Sequence, residues 1–198
     1  MFSTTRLLLR GVKSTDNSSI LALYNDKLVA TWITESYVVP RNFSSMNTIN
    51  TMLDSMLMCC VVEELETGEF VGLTGFLKMV EPKNRNAMMF ILLMPKHWNK
   101  GYGFEAMDFL IDYAFEGLGM HRVSLTVFEG NDRALALYHK LLVIFPWYVY
   151  RLVLNDSRGF VEEGRHRKTV WIKGSWRDTF YMGILEDEWA EKRSLKAL

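Results

Sequence analysis

Only two cysteines occur in the chain, Cys59 and Cys60, and they are adjacent within an apolar run. Neighbours of that kind are poorly placed for a disulfide framework or a metal site, so both read as buried thiols in a reducing compartment. No excess of either charge is present, with Lys+Arg 23 against Asp+Glu 23. A balanced chain lacks the basic surplus that holds a polyanion, and nucleic acid is not expected as a partner. Long apolar runs are missing from the start as well. Residues 1–10 carry only Leu7, Leu8 and Leu9 between Arg6 and Arg10, too few for a signal h-region or a membrane span. A cytoplasmic protein with no membrane partner is the expectation. Internal repeats and low-complexity tracts are also absent, and 198 residues with 49% hydrophobic content read as one domain, 1–198. Methionine is the plentiful exception, with 12 residues. Met52, Met56, Met58, Met88 and Met89 lie in apolar stretches, where the flexible thioether fills core gaps.

The pattern of what is present alternates strands and helices. Thr5 to Arg10 forms a first strand, and Ser14, Thr15 and Asp16 offer caps to a helix carrying Ile20, Leu21, Leu23 and Tyr24. Ser44 and Ser45 open a second helix with Ile49, Met52, Leu53 and Met56 on one stripe. Residues 57–63 and 70–78 flank the turn Glu66-Thr67-Gly68-Glu69 and predict a hairpin. The uninterrupted apolar run 87–93 predicts a central strand buried on both faces. Phe104, Met107, Ile111 and Ala114 then recur at helical spacing until Gly117 and Gly119, and residues 122–128 alternate as a strand. Strand, helix and strand in succession imply a parallel pair with a right-handed crossover. A short helix beginning at Asn131 or Asp132, a hairpin over residues 161–172 and 176–185, and a helix opening on Glu186-Asp187-Glu188 complete the chain.

Between the central strand and the following helix lies Trp98-Asn99-Lys100-Gly101-Tyr102-Gly103. The first N–H groups of a helix have no internal partner and carry the positive end of its dipole, so a diphosphate fits there if the backbone can come close. Gly101 and Gly103 permit that approach. A lone G-x-G is equally a flexible turn feeding a helix. A P-loop would require Gly-Lys-Ser/Thr, which is missing, and the chain lacks the repeated βαβ halves of a dinucleotide-binding oxidoreductase.

This loop, with Thr5-Arg6-Leu7-Leu8-Leu9-Arg10, Phe104-Glu105-Ala106, Asn131-Asp132-Arg133-Ala134-Leu135-Ala136-Leu137-Tyr138, Gly159-Phe160-Val161-Glu162-Glu163-Gly164 and Asp178-Thr179-Phe180-Tyr181-Met182-Gly183-Ile184-Leu185, resembles the GNAT superfamily of N-acetyltransferases. The resemblance is to the branch of ribosomal-protein N-terminal and spermidine acetyltransferases, and it covers nearly the whole chain. It implies an α/β (α+β) fold: a mixed, mostly antiparallel sheet whose central parallel strands splay around acetyl-CoA, flanked by helices. It also implies acetyl transfer from acetyl-CoA to a primary amine, either a peptide N-terminus or a small amine, without a metal. Under it, Leu92, Leu93 and Met94 offer main-chain groups to the pantetheine arm, and Trp98, Asn99, Lys100, Gly101, Tyr102, Gly103 and Phe104 hold the pyrophosphate. Asn131 contacts the cofactor, and Tyr138 donates to the departing thiolate. As plain chemistry, Asn131 is equally a helix cap and Tyr138 equally a core aromatic.

The general base is not legible. Residues 87–93 carry no carboxylate, and Glu63, Glu64, His97 and direct attack by an amine that sheds its proton to water stand as alternatives. Residues 142–158 depart from the family pattern, which runs Lys-Leu directly into Gly-Phe; here Lys140-Leu141 and Gly159-Phe160 are separated by an apolar, aromatic stretch. It reads as an extra strand or lid, as a homodimer contact, or as a translated in-frame intron. The unassigned base and this insertion also keep in view a silent acyl-CoA-binding or interaction module.

Overall fold

The computed structural model describes residues 1–33, 37–79, 81–141 and 160–196. Eight strands form one sheet: β1 (Phe2–Ser3), β2 (Leu7–Gly11), β3 (Met58–Glu64), β4 (Phe70–Phe76), β5 (Asn86–Leu93), β6 (Arg122–Phe128), β7 (Val161–Ile172) and β8 (Ser175–Leu185), in the order β1-β2-β3-β4-β5-β6-β8-β7. All neighbours are antiparallel except β5 and β6, which are parallel. The apolar run predicted as central is β5, in the middle of the sheet.

Strand alternation sends successive side chains to opposite faces, so two cores form. Val61 and Leu73 meet Ile20 and Leu23 of α1 (Asn17–Asn25), Val29 of α2 (Lys27–Ala30), and Met46, Ile49 and Leu53 of α3 (Ser45–Asp54). On the other face Val62 and Val71, the latter turned there by the register shift between Val62 and Glu63, join Met89, Val123, Leu125 and Val127 beneath Ala106, Met107, Leu110 and Ile111 of α4 (Tyr102–Asp112) and Tyr138 of α5 (Asp132–Lys140). α6 (Glu186–Lys196) docks through Trp189, which stacks on Phe115 at 5.1 Å and donates from Nε1 to Asp112 at 2.8 Å. Among the described residues no helix is long and apolar enough to cross a membrane.

Three local features differ from the sequence pattern. β1 and α2 are extra short elements, and α2 begins at Asp26, whose carboxylate accepts from the Leu28 and Val29 N–H groups. Asp16 does not cap α1. Its carboxylate binds the buried Arg10 guanidinium through two hydrogen bonds of 2.8 Å, and Arg10 also pairs with Glu63. Ser44 stands before α3 without a side-chain capping bond, its hydroxyl donating to Asn42 instead. In the last two cases a polar side chain was drawn to a partner outside the helix, a competition local patterns do not register.

The expected insertion, 142–158, lies outside the described residues, while Leu141 before it and Phe160 after it are described. The Phe160 N–H donates to the Tyr138 carbonyl at 3.1 Å, and their rings meet edge to face with centroids 6.0 Å apart. Were Leu141 joined directly to Gly159, Tyr138 and Phe160 would occupy the two ends of the 6→1 hydrogen bond that closes a glycine-terminated helix, with the apolar contact that accompanies it. Tyr138 and Phe160 thus meet although residues 142–159 lie between them in sequence. A variant lacking residues 142–158 is expected to melt no lower than the intact chain and to be more soluble; a lower melting temperature by calorimetry would show the segment to be part of the core.

Candidate active site

β5 and β6 pair only at Asn86 with Arg122, Ala87 with Val123 and Met88 with Ser124. Beyond that point β5 stays on β4 as far as Leu93, while β6 follows β8 to Phe128. The strands diverge, and a cleft of about 990 Å³ opens between them. Its main-chain lining follows from strand geometry. The Leu77 N–H donates to the Met88 carbonyl at 2.8 Å and the Met94 N–H to the Val71 carbonyl at 2.9 Å. Alternation then turns the main-chain groups of Phe90 and Leu92 toward β4, and those of Met89, Ile91 and Leu93 toward the gap. Of the run Leu92, Leu93 and Met94, Leu93 thus faces the cleft with its backbone. Ile91 joins it, a position the sequence analysis passed over although alternation counted from Met88 marks it. The Leu93 carbonyl accepts from Trp98 Nε1 at 2.9 Å, which fixes the start of the loop to the strand.

After a turn at Pro95–His97 the loop reverses through two left-handed residues, Asn99 at φ 61° and Gly101 at φ 83°, and enters α4. Asn and Gly are the residues that tolerate this conformation. Gly103 has a second reason to be glycine: a Cβ there would lie 3.2 Å from Leu137 and 3.5 Å from Leu93, so its bareness lets α4 approach α5 and β5. The helix start is held from behind. Arg6 pairs with Glu105 at 2.8 Å, donates to the Lys100 carbonyl at 3.0 Å, and lies 4.8 Å over the Tyr102 ring. Tyr102 is buried and its hydroxyl donates to Glu64, so that side chain serves the frame and only its backbone faces the cleft mouth.

On the opposite wall Asn131 occupies the N-cap position of α5 but makes no side-chain capping bond, and it lines the cleft. Tyr138 also lines it; burial pushes its phenol up to about 12, so it stays protonated at neutral pH, and its hydroxyl has no hydrogen-bond partner among the described residues. Two cations join the lining that the sequence analysis did not single out. The Arg133 guanidinium lies 3.8 Å over the Trp98 ring, and Lys140 Nζ lies 5.6 Å from the Phe104 ring. Their positions two helical turns apart put them on one face of α5, which was the available signal.

Glu63 is committed to Arg10 and Glu64 to Tyr102. His97 differs: it is 1% exposed, neither ring nitrogen has a hydrogen-bond partner among the described residues, and burial lowers its pKa, so the imidazole is neutral at pH 7. Its Nε2 stands 3.7 Å from Glu69, which is engaged by Lys96. Among the described residues no group of three or more His, Cys, Asp or Glu could hold a metal ion.

The chain and its fold have counterparts among known proteins. The chain is 24% identical to an uncharacterized N-acetyltransferase, YoaA, of Bacillus subtilis (strain 168), over 94% of its own length and 97% of the relative's. It is 25% identical to the spermidine N(1)-acetyltransferase of Vibrio cholerae serotype O1, over 95% and 98% of the two chains. A crystal structure of spermidine N-acetyltransferase from Vibrio cholerae in complex with CoA and spermine superposes with a TM-score of 0.76, covering 94% of this chain and 99% of that one at 24% identity. Residues 6–141, from the Arg6 clamp to the end of α5, match the Acetyltransferase (GNAT) domain, and the chain belongs to this family of acetyl-CoA-dependent N-acetyltransferases.

Proposed function

We propose that the cleft between β5 and β6 binds acetyl-CoA and passes its acetyl group to a primary amine entering from the α1–α3 side of the sheet. The observation that carries this reading is the end of the parallel ladder at Met88 and Ser124, opposite the start of α4. Strand groups released there at Ile91 and Leu93 suit the amides of a pantetheine arm, and the N–H groups opening α4 suit a diphosphate. Leu92 and Met94 contribute side chains to the other face. Trp98, Asn99, Lys100, Gly101, Tyr102, Gly103 and Phe104 form the loop around the phosphates, with Arg133 and Lys140 adding positive charge beside it.

Transfer requires a neutral amine, whose lone pair attacks the thioester carbon; the C–S bond then breaks and the sulfur takes a proton. Tyr138 is suited to supply that proton because burial keeps the phenol protonated. Asn131 orients the bound substrate from the cap of α5. No Asp or Glu among the described residues lines the cleft. The acceptor sheds its proton because apolar walls and neighbouring cations both disfavour an ammonium ion. Two acceptor classes accompany this reading: a polyamine, as the names of the relatives indicate for those proteins, and a peptide N-terminus.

Gly103→Val fills the space between α4, α5 and β5 and is expected to weaken CoA binding about tenfold or more, while Arg133→Ala, which leaves the backbone alone, weakens it less and mainly at low salt. Unchanged calorimetric affinity in both folded variants would contradict the assignment. Tyr138→Phe keeps the ring and removes only the hydroxyl. It is expected to lower kcat by up to roughly 10²- to 10⁴-fold with little change in KM for acetyl-CoA; turnover at the unmodified rate would leave Tyr138 as packing alone. Because burial and cations lower the pKa of the bound amine, the pH profile of kcat is expected to level off about one unit or more below the acceptor's solution pKa. A kcat profile that tracks the solution pKa would show that the cleft does not deprotonate the amine.

A further inference from the structure

The acceptor half of the cleft has a marked chemical bias. On the face away from α4 and α5 it is walled by Tyr24, Trp32, Met52, Met56, Phe90 and Phe128. These side chains come from α1, the end of α2, α3, β5 and β6, so the apolar surface is built by most of the elements that approach it. Trp32 is seated between distant parts of the chain: its ring reaches toward Gly130, where an added Cβ would lie 3.5 Å from it, and Lys173 of the β7–β8 turn stands 5.2 Å from its centroid.

The charged side chains among the described residues that line the cleft, Arg133 and Lys140, are cationic and lie on aromatic faces, and two further cations outside that lining, Lys173 and Arg41, do the same. Arg133 lies over Trp98, Lys173 over Trp32, Arg41 over Tyr24 and Lys140 over Phe104. Such a rim attracts the phosphates of CoA and opposes a ligand bearing several ammonium groups. The described lining offers no carboxylate to pair the distal charges of a polyamine, and its apolar wall disfavours their desolvation. An amine with one charge next to an apolar body has only that charge to lose, and losing it is what the chemistry requires.

We propose that the acceptor is a primary amine carried on an apolar body of aromatic size, and not a polycation; the proposal rests on the acetyl-transfer reading above. The shared chemistry is met by a free arylalkyl amine and by a peptide whose first residue is a large hydrophobe.

Release of free CoA thiol from acetyl-CoA, measured with phenethylamine, a phenylalanyl-initiated peptide and spermidine, tests it. The expected result is a kcat/KM for one or both aromatic amines about tenfold or more above that for spermidine, and the ratio of the two aromatic arms tells a free amine from a chain terminus. Equilibrium binding of phenethylamine and spermidine to the CoA-loaded chain gives the same comparison without turnover, with phenethylamine bound the tighter. Trp32→Ala is expected to reduce the aromatic preference. Met52→Glu, at a position 40% exposed and tolerant of charge, is expected to shift the preference toward spermidine. Spermidine preferred by the unmodified chain in rate or in binding overturns the proposal while leaving acetyl transfer intact. A chain that binds no CoA overturns both readings.

Discussion

The structure depends on a sheet that gives up its hydrogen bonds in its own middle. Parallel neighbours normally continue their ladder as far as both strands run, because buried main-chain groups without partners are unfavourable. Here β5 and β6 separate after Met88 and Ser124, and each is kept straight by its other neighbour, β4 or β8. The opening is therefore a property of the whole sheet, and the edges that it exposes can be satisfied by solvent or by an amide-bearing ligand. Around that gap the remaining features fall into place: the turn of the loop at Asn99 and Gly101, the closeness of α4 and α5 at Gly103, and the anchoring of Trp98 on the Leu93 carbonyl.

The two sides of the gap are chemically unlike. On one side helix N–H groups, Arg133 and Lys140 favour an anionic ligand. On the other, aromatic and thioether side chains favour an apolar one. The same cations contribute to both effects, because a rim that draws in phosphates also raises the free energy of an ammonium ion beside it. Under the proposed function, substrate capture and amine deprotonation would share a physical origin, in keeping with a cleft whose described walls carry no carboxylate.

Much of this was legible in the sequence because it is written in periodicity. β6 and β7 follow their expected bounds, β5 starts one residue before its own, and the loop sits where the run of apolar strand gives way to Gly101 and Gly103. What periodicity leaves out is partner choice. Asp16 had the position of a cap but found Arg10, Tyr102 at the start of α4 turned its hydroxyl to Glu64, and the sequence pattern did not mark Arg133 and Lys140, whose aromatic partners are distant in sequence. The main-chain role of Ile91 was hidden for a different reason: an isoleucine says nothing about which strand edge its amide faces until the register is known. The insertion at 142–158 was marked by its composition, and Tyr138 and Phe160 on its two sides are joined by a main-chain hydrogen bond.

Amide hydrogen exchange across β5, with and without CoA, tests the central claim most directly, because it reads the released strand edge itself. The account predicts that CoA slows exchange at Ile91 and Leu93, together with the amides that open α4, while Phe90, Leu92 and Met94, bonded to β4, are protected already and change little. Exchange at Ile91 and Leu93 that is equally slow without CoA, or that CoA leaves unaltered while it binds, would contradict it.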